Sequence, residues 1–66
     1  MTRFIMIRRT VNGKAEPTWV NVANINTIAA AVTGPGSRIT LKDGFLLAEE
    51  EPGVVLERIR RAEDDR

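Results

Sequence analysis

The residue types that most often carry catalysis are missing from this chain of 66 residues, which contains no histidine and no cysteine. The commonest general base and the strongest nucleophile are therefore absent. A metal site would need carboxylates alone, and the acidic candidates are the consecutive runs at residues 49–51 and 63–65. Neighbouring side chains in such runs diverge, so we interpret both runs as solvated. We predict no metal, no cofactor and no enzymatic activity.

Two further chemical possibilities are weak. Ser37 has no recognisable base partner, and the loop at residues 33–37 (TGPGS) lacks the lysine and the helix that a phosphate-binding loop requires, so a β-turn is favoured there. A pair of carboxylates acting as in a glycosidase stays open from sequence alone, although so short a chain leaves little room for a cleft.

Arginine supplies eight of the ten basic residues, and a planar guanidinium suits carboxylate or phosphate. The candidate contacts for an anion or a nucleic acid are Arg8, Arg9, Arg38, Arg58 and Arg61. The net charge of only +1, and acidic residues among the arginines near the C-terminus, argue against a nucleic-acid interface. Trp19 is the one large aromatic outside the core candidates Phe4 and Phe45, whereas a stacking platform needs several. Binding of nucleic acid or a nucleotide is therefore the alternative prediction.

The strongest structural signal is the stretch 38–48 (RITLKDGFLLA). Asp43-Gly44 between β-prone runs predicts a hairpin with a two-residue turn that has positive φ at both positions. Alternation along the second arm places Phe45 and Leu47 on one face of the strand and Leu46 on the other.

The N-terminal third predicts two more strands. The unbroken apolar run at residues 4–7 is typical of a strand buried on both faces. Asn12-Gly13 predicts a turn, followed by a loop that closes at Pro17 and a strand in which a half-buried Trp19 shares a face with Asn21. Residues 23–24 predict a bend and residues 25–32 a strand, with a short helical turn near Asn24 as the alternative.

The acidic run before Pro52 predicts the start of a helix. Its apolar stripe comprises Val55, Leu56, Ile59 and Ala62. Glu57 and Arg61 are four residues apart in the favourable order, and residues 63–66 are expected to fray.

These elements predict a single small domain over residues 1–66, of the α+β class, with an antiparallel sheet of about five strands and one C-terminal amphipathic helix. One helix about 10 Å wide covers only part of a sheet over about 20 Å wide, yet apolar side chains point to both sides of several strands. We therefore expect a homo-oligomer, with a dimer favoured. The expected interface residues are Phe4, Met6, Trp19, Phe45 and Leu47.

No stretch is long and apolar enough to span a membrane, and the N-terminus does not read as a signal peptide. A chain without cysteine fits a reducing compartment, so we expect a cytoplasmic location.

Three segments, IRRTVNGK, WVNVANINTI and SRITLKDGFLLAEEEPGVVLERI, together resemble the small flagellar FlbD-like family. The chain departs from that pattern in the extra AEPT after the first turn and in the TGPGS loop. The resemblance implies a non-enzymatic bacterial accessory protein linked to flagellar function or regulation, with a phage origin as the alternative. We therefore predict an adaptor or regulatory protein that acts through contacts with another protein.

Overall fold

The protein is a five-stranded antiparallel sheet with one C-terminal helix, the α+β architecture that the sequence predicts. A computed structural model describes residues 3–64. The elements are β1 (Phe4–Val11), β2 (Lys14–Asn21), β3 (Ile25–Ala30), β4 (Ser37–Leu41), β5 (Phe45–Ala48) and α1 (Pro52–Asp64). The strand order is β2-β1-β5-β4-β3, so β2 and β3 form the two edges of the sheet.

The β1–β2 hairpin turns through Asn12 and Gly13, whose φ angles of 50° and 78° fit a primed two-residue turn. The expected loop up to Pro17 is wrong, because pairing resumes at once between Val11 and Lys14. Proline fits inside β2 because the backbone groups of its partner Arg8 face β5, where Arg8 O accepts the Glu49 N–H. The pair makes no β1–β2 hydrogen bond, so Pro17 removes no donor from the ladder.

Burial alternates over residues 4–7 of β1, and the expectation that this run is buried on both faces is wrong. Ile5 and Ile7 are buried, whereas Phe4 and Met6 are exposed. One face of the sheet therefore carries the core, which we call the inner face, and the opposite one is the outer face. The core consists of Ile5, Ile7, Val20, Ile39, Leu46, Ala48 and Val55.

A single turn of 3₁₀ helix, Val22–Asn24, joins β2 to β3 and confirms the helical alternative for this segment. Asn21 caps it, since its side-chain oxygen accepts the Ala23 N–H at 3.0 Å. β3 ends two residues earlier than the predicted strand because the Ala31 N–H donates to Gly36 O at 3.1 Å and closes the following loop.

The β4–β5 hairpin is confirmed, but its turn is not of the predicted kind. The connection spans residues 42–44, and neither Asp43 nor Gly44 has a positive φ. Lys42 donates its N–H to Asn24 O at 3.1 Å, which prolongs the pairing of this chain segment with the β3 side. The Leu41 N–H donates to Gly44 O at 2.6 Å, so the chain turns around Lys42 and Asp43, one residue before the predicted pair.

Helix α1 begins at Pro52 as predicted, and Glu51 O accepts the N–H groups of Val54 and Val55. Val55 is fully buried, but Leu56 is 54% exposed and does not belong to the buried stripe. Ile59 and Ala62 pack against the core, and α1 contacts β1 and β3.

The predicted fraying is wrong for residues 63 and 64, which are helical; Arg60 forms an ion pair with Asp64 at 3.8 Å. Residues 65 and 66 lie outside the described part of the chain. Within residues 3–64, no helix has the length and apolar character that crossing a membrane requires.

Candidate interaction surface

The join between β1 and β5 depends on charged side chains as much as on backbone pairing. The two strands share a single ladder pair, Arg9 with Ala48, next to which the Glu49 N–H donates to Arg8 O at 2.8 Å. Farther along, side chains from the helix and from the segment before it bind the β1 backbone. This arrangement fixes α1 against the strand that carries part of the outer face.

Glu50 is the centre of this join, with only 8% of its side chain exposed. Its carboxylate accepts the Arg8 N–H at 3.0 and 3.1 Å and pairs with Arg58 Nη1 at 2.5 Å. Arg58 Nη1 also donates to Met6 O at 2.7 Å. Burial alone would raise the pKa of Glu50, but the Arg8 N–H and the Arg58 guanidinium outweigh it and hold that pKa below its ordinary value of 4.5.

The interpretation of residues 49–51 as a solvated run is therefore wrong for Glu50. Strand parity is the signal that would have found it, because Leu46 and Ala48 point to the inner face and Glu50 continues their alternation. Its partners Arg8 and Arg58 are distant in sequence and gave no local indication.

The three consecutive carboxylates diverge as predicted. Glu49 lies 3.5 Å from Arg8 Nε, Glu50 binds Arg58, and Glu51 accepts the Gly36 N–H at 3.2 Å. Within residues 3–64 no three acidic side chains group closely enough to hold a metal ion. This divergence leaves the run without the convergent oxygens that a cation needs.

The glycine-containing loop has a packing role. Ser37 is fully buried and its hydroxyl donates to the carbonyl of Glu50. Gly36 has a φ of 106°, and a Cβ there would lie 2.3 Å from Ala48 O. The loop therefore packs directly on β5 and the chain that follows it, at a distance that only glycine allows.

The five predicted interface residues all lie on the outer face and are all partly exposed. Met6 pairs with Trp19 across β1 and β2, and Phe45 and Leu47 flank the buried Leu46 on β5. The exposed fractions are 51% for Phe4, 37% for Met6, 67% for Trp19, 56% for Phe45 and 42% for Leu47. The core assignment of Phe4 and Phe45 is wrong, and Trp19 is more exposed than the half-buried residue expected.

Two apolar depressions adjoin the outer face within residues 3–64, the first of them at the side of β1 where α1 packs. The first is lined by Phe4, Met6 and Trp19, with Arg58 and Arg61 at its border. The second is lined by Val32, Phe45 and Leu47 together with Arg38. Each depression thus combines aromatic surface with guanidinium groups, a composition common at protein interfaces.

The five predicted arginine contacts do not form one cluster of uncommitted charges. Arg8 and Arg9 are consecutive residues of β1 and so point to opposite faces of the sheet. Arg8 pairs with Glu49 and Arg58 with Glu50, while Arg61 lies 3.4 Å from Glu57. Arg38 stacks over the Phe45 ring, 4.8 Å from its centroid. Three of the five guanidinium groups are therefore already engaged by carboxylates.

Comparison with known proteins gives no indication of function. The chain matches no family model, no curated protein and no solved structure. The resemblance to the flagellar FlbD-like family therefore stays a prediction. The function proposed below is based on the outer face.

Proposed function

We propose that this protein is a small, homo-oligomeric adaptor or regulatory protein without enzymatic activity, which binds another protein through the outer face of its sheet. One observation carries the proposal: all three aromatic residues of the chain, together with Met6 and Leu47, are exposed on that face. Aliphatic side chains form the core instead. The residues best suited to anchor a partner are thus the ones left accessible.

The exposed apolar area suits a protein contact. A fully buried aromatic side chain covers about 150–250 Å², and the three here expose half or more of theirs, which gives roughly 300 Å² before Met6 and Leu47 are added. Phe4, Met6, Trp19, Phe45 and Leu47 together expose about 500 Å² in two separate areas, and an ordinary interface buries about 800 Å² per partner. The outer face therefore fits the apolar centre of such an interface.

The chemistry of the chain supports a non-enzymatic role. Histidine and cysteine are missing from the sequence, and Ser37 is a buried hydrogen-bond donor to the backbone. Glu50, whose side chain is only 8% exposed, is committed to Arg58 and to the Arg8 N–H. The cytoplasmic location and the accessory role implied by the FlbD-like resemblance, in a bacterium or a phage, are part of the same proposal.

The proposal is tested by placing a photo-crosslinking amino acid at position 19 or 45 and irradiating cells that produce the protein. We expect adducts with a different protein at both positions. The matched control is position 56, because Leu56 is equally exposed but lies on the helix. Adducts at position 56 equal to those at 19 and 45, or no adducts at all, would contradict the proposal.

Binding of nucleic acid or an anionic nucleotide is the second candidate, and one observation favours it. Phe4, Trp19 and Phe45 are three exposed aromatics on one sheet face, and Arg38 stacks on the last of them. Exposed aromatics on a sheet can stack bases. The engagement of Arg8, Arg58 and Arg61 by carboxylates makes this the weaker candidate.

Titration with single-stranded and duplex nucleic acid and with nucleotides separates the two candidates. The adaptor proposal predicts no binding at low salt. Binding that weakens steeply as salt rises, and that Arg38→Ala reduces, would support the second candidate instead.

A further inference from the structure

The two edges of the sheet differ in how well they are protected from pairing. In the β1–β2 ladder, the backbone groups of Ala15, Pro17 and Trp19 face away from β1. Pro17 offers no N–H to a neighbouring strand, and Lys14 and Glu16 place charges along the same strand. Proline and charge are the usual means by which a protein blocks an edge, so β2 is protected.

The β3 edge carries an open row of backbone groups. Ala29 lies opposite Arg38, and the Ala31 N–H donates to Gly36 O, so the backbone groups of these odd-numbered residues face β4. Those of Ile28 and Ala30 therefore face outwards. Within residues 3–64 they have no backbone hydrogen-bond partner on that side.

Two of the usual protective devices, charge and proline, are missing from β3, and its register shift lies between Ile25 and Thr27, before the open row of Ile28 and Ala30. Residues 17–37 contain no Asp, Glu, Lys or Arg, and β3 contains no proline. Identical strands brought together here would not place like charges opposite each other.

We propose that this edge pairs with β3 of a second copy of the chain, antiparallel, about a two-fold axis that passes beside Ala29. Such an axis pairs Ile28 with Ala30 of the second copy, and Ala30 with its Ile28, so each open N–H and C=O meets its complement. The two five-stranded sheets become one continuous sheet of ten strands. An antiparallel pair of identical strands closes on itself, which makes a second copy the occupant that this edge fits best.

This arrangement rests on the homo-oligomer part of the proposed function and specifies it further. It also fixes how the outer faces of the two copies are oriented relative to each other. The two-fold axis stands perpendicular to the sheet, so both outer faces point to the same side. The dimer presents two copies of the Phe45 and Leu47 surface to a partner, and dimerisation covers neither.

The experiment compares Ala29→Lys with the matched variant Ala15→Lys. Both alanines lie on edge strands and on the outer face, but only Ala29 faces its own copy across the proposed axis. We expect Ala29→Lys to raise the dimer dissociation constant by at least about tenfold, because two lysines then lie directly opposite each other. Ala15→Lys should leave it within about twofold. Light scattering and sedimentation over a range of concentrations measure both.

Two further measurements keep the test independent of folding defects. Hydrogen exchange should show Ile28 and Ala30 amides protected at high concentration and exchanging faster on dilution, whereas the outward Trp19 amide stays unprotected throughout. Ala30→Pro removes one outward donor per copy and should also weaken the dimer by about tenfold or more.

The outcomes that overturn the inference are distinct from those that overturn the proposed function. A dimer that survives Ala29→Lys but dissociates in Phe45→Asp or Met6→Asp would place the interface on the outer face; the inference then fails and the homo-oligomer stands. A chain that stays monomeric at every concentration would overturn both the pairing and the homo-oligomer.

Discussion

The inner and outer faces of this sheet are both apolar, but they are built from different residues. The inner face buries aliphatic side chains such as Ile7 and Ile39 together with Val55 of α1, each with no exposed area. The outer face carries Trp19 and both phenylalanines, each at least half exposed. In a chain whose stability is expected to be marginal, the bulkiest side chains would have contributed most to the core.

Apolar character alone therefore does not decide which side chains are buried. A single helix covers the inner face, and the strands leave their largest side chains where the helix is not. Aliphatic residues pack densely against a short helix, whereas aromatic residues and methionine suit contacts with a partner. The two faces therefore serve stability and recognition separately, and substitutions should separate these properties.

The largest expected difference is between Ile7 and its neighbour Met6. Ile7→Ala leaves a cavity in the core and should lower the free energy of unfolding by about 3 kcal/mol. Met6→Ala, on the exposed side of the same strand, should cost less than about 1 kcal/mol. Urea unfolding of both variants measures the difference; equal losses would contradict the separation of the faces.

Two adjacent carboxylates at the join of β1 and β5 should differ next most in their contribution to stability. Glu50→Ala leaves the Arg8 N–H and the Arg58 guanidinium without their acceptor and should cost about 2 kcal/mol, a value discounted because Arg58 is 39% exposed. Glu49→Ala removes only an exposed ion pair and should cost less than about 1 kcal/mol. Thermal unfolding of the two variants measures the difference. Equal losses of stability in Glu50→Ala and Glu49→Ala would contradict the central role of Glu50.

The same carboxylate should shape the response to acid. Its folded pKa lies below the ordinary value of 4.5, so its contribution to stability is complete above pH 4.5 and is lost as the pH falls through the folded pKa. Glu50→Gln should therefore be less stable than the wild type at neutral pH and should show a shallower loss towards acid. The free energy of unfolding is measured against pH for both proteins. An equally steep loss below pH 4.5 in the wild type and in Glu50→Gln would contradict this role.

The smallest expected effect is on the outer face. Trp19→Ser should change the free energy of unfolding by less than about 0.5 kcal/mol, because two thirds of the side chain is already in water. The wild-type fluorescence should be that of a hydrated indole and should shift to shorter wavelength only when a partner binds. A blue-shifted emission in the isolated protein would show that Trp19 is already covered.

Local signals in the sequence predict much of this fold. Asn12-Gly13 specifies its turn because both residues accept positive φ, and Pro52 after an acidic run specifies the start of α1. The alternation of Phe45, Leu46 and Leu47 correctly divides β5 between the two faces. In each case neighbours in sequence contain the physical cause.

Features that depend on distant residues could not be predicted in the same way. The run at residues 4–7 is apolar throughout, so its division into a buried and an exposed side follows only from where α1 packs. Pro17 is tolerated in β2 because the backbone N–H and C=O of its partner Arg8 face β5, so no hydrogen bond to β1 is lost. Glu50 becomes the centre of the join between β1 and β5 only because the fold brings Arg8 and Arg58, distant in sequence, next to it.

The single ladder pair between β1 and β5 has a mechanical consequence. Every other neighbouring pair of strands is held by several backbone pairs, whereas this one relies on Arg9 with Ala48, on the Glu49 N–H bond to Arg8 O, and on the side chains of Glu50 and Arg58. Tension across the sheet would rupture this line first and divide the molecule into an N-terminal hairpin and a C-terminal three-stranded meander.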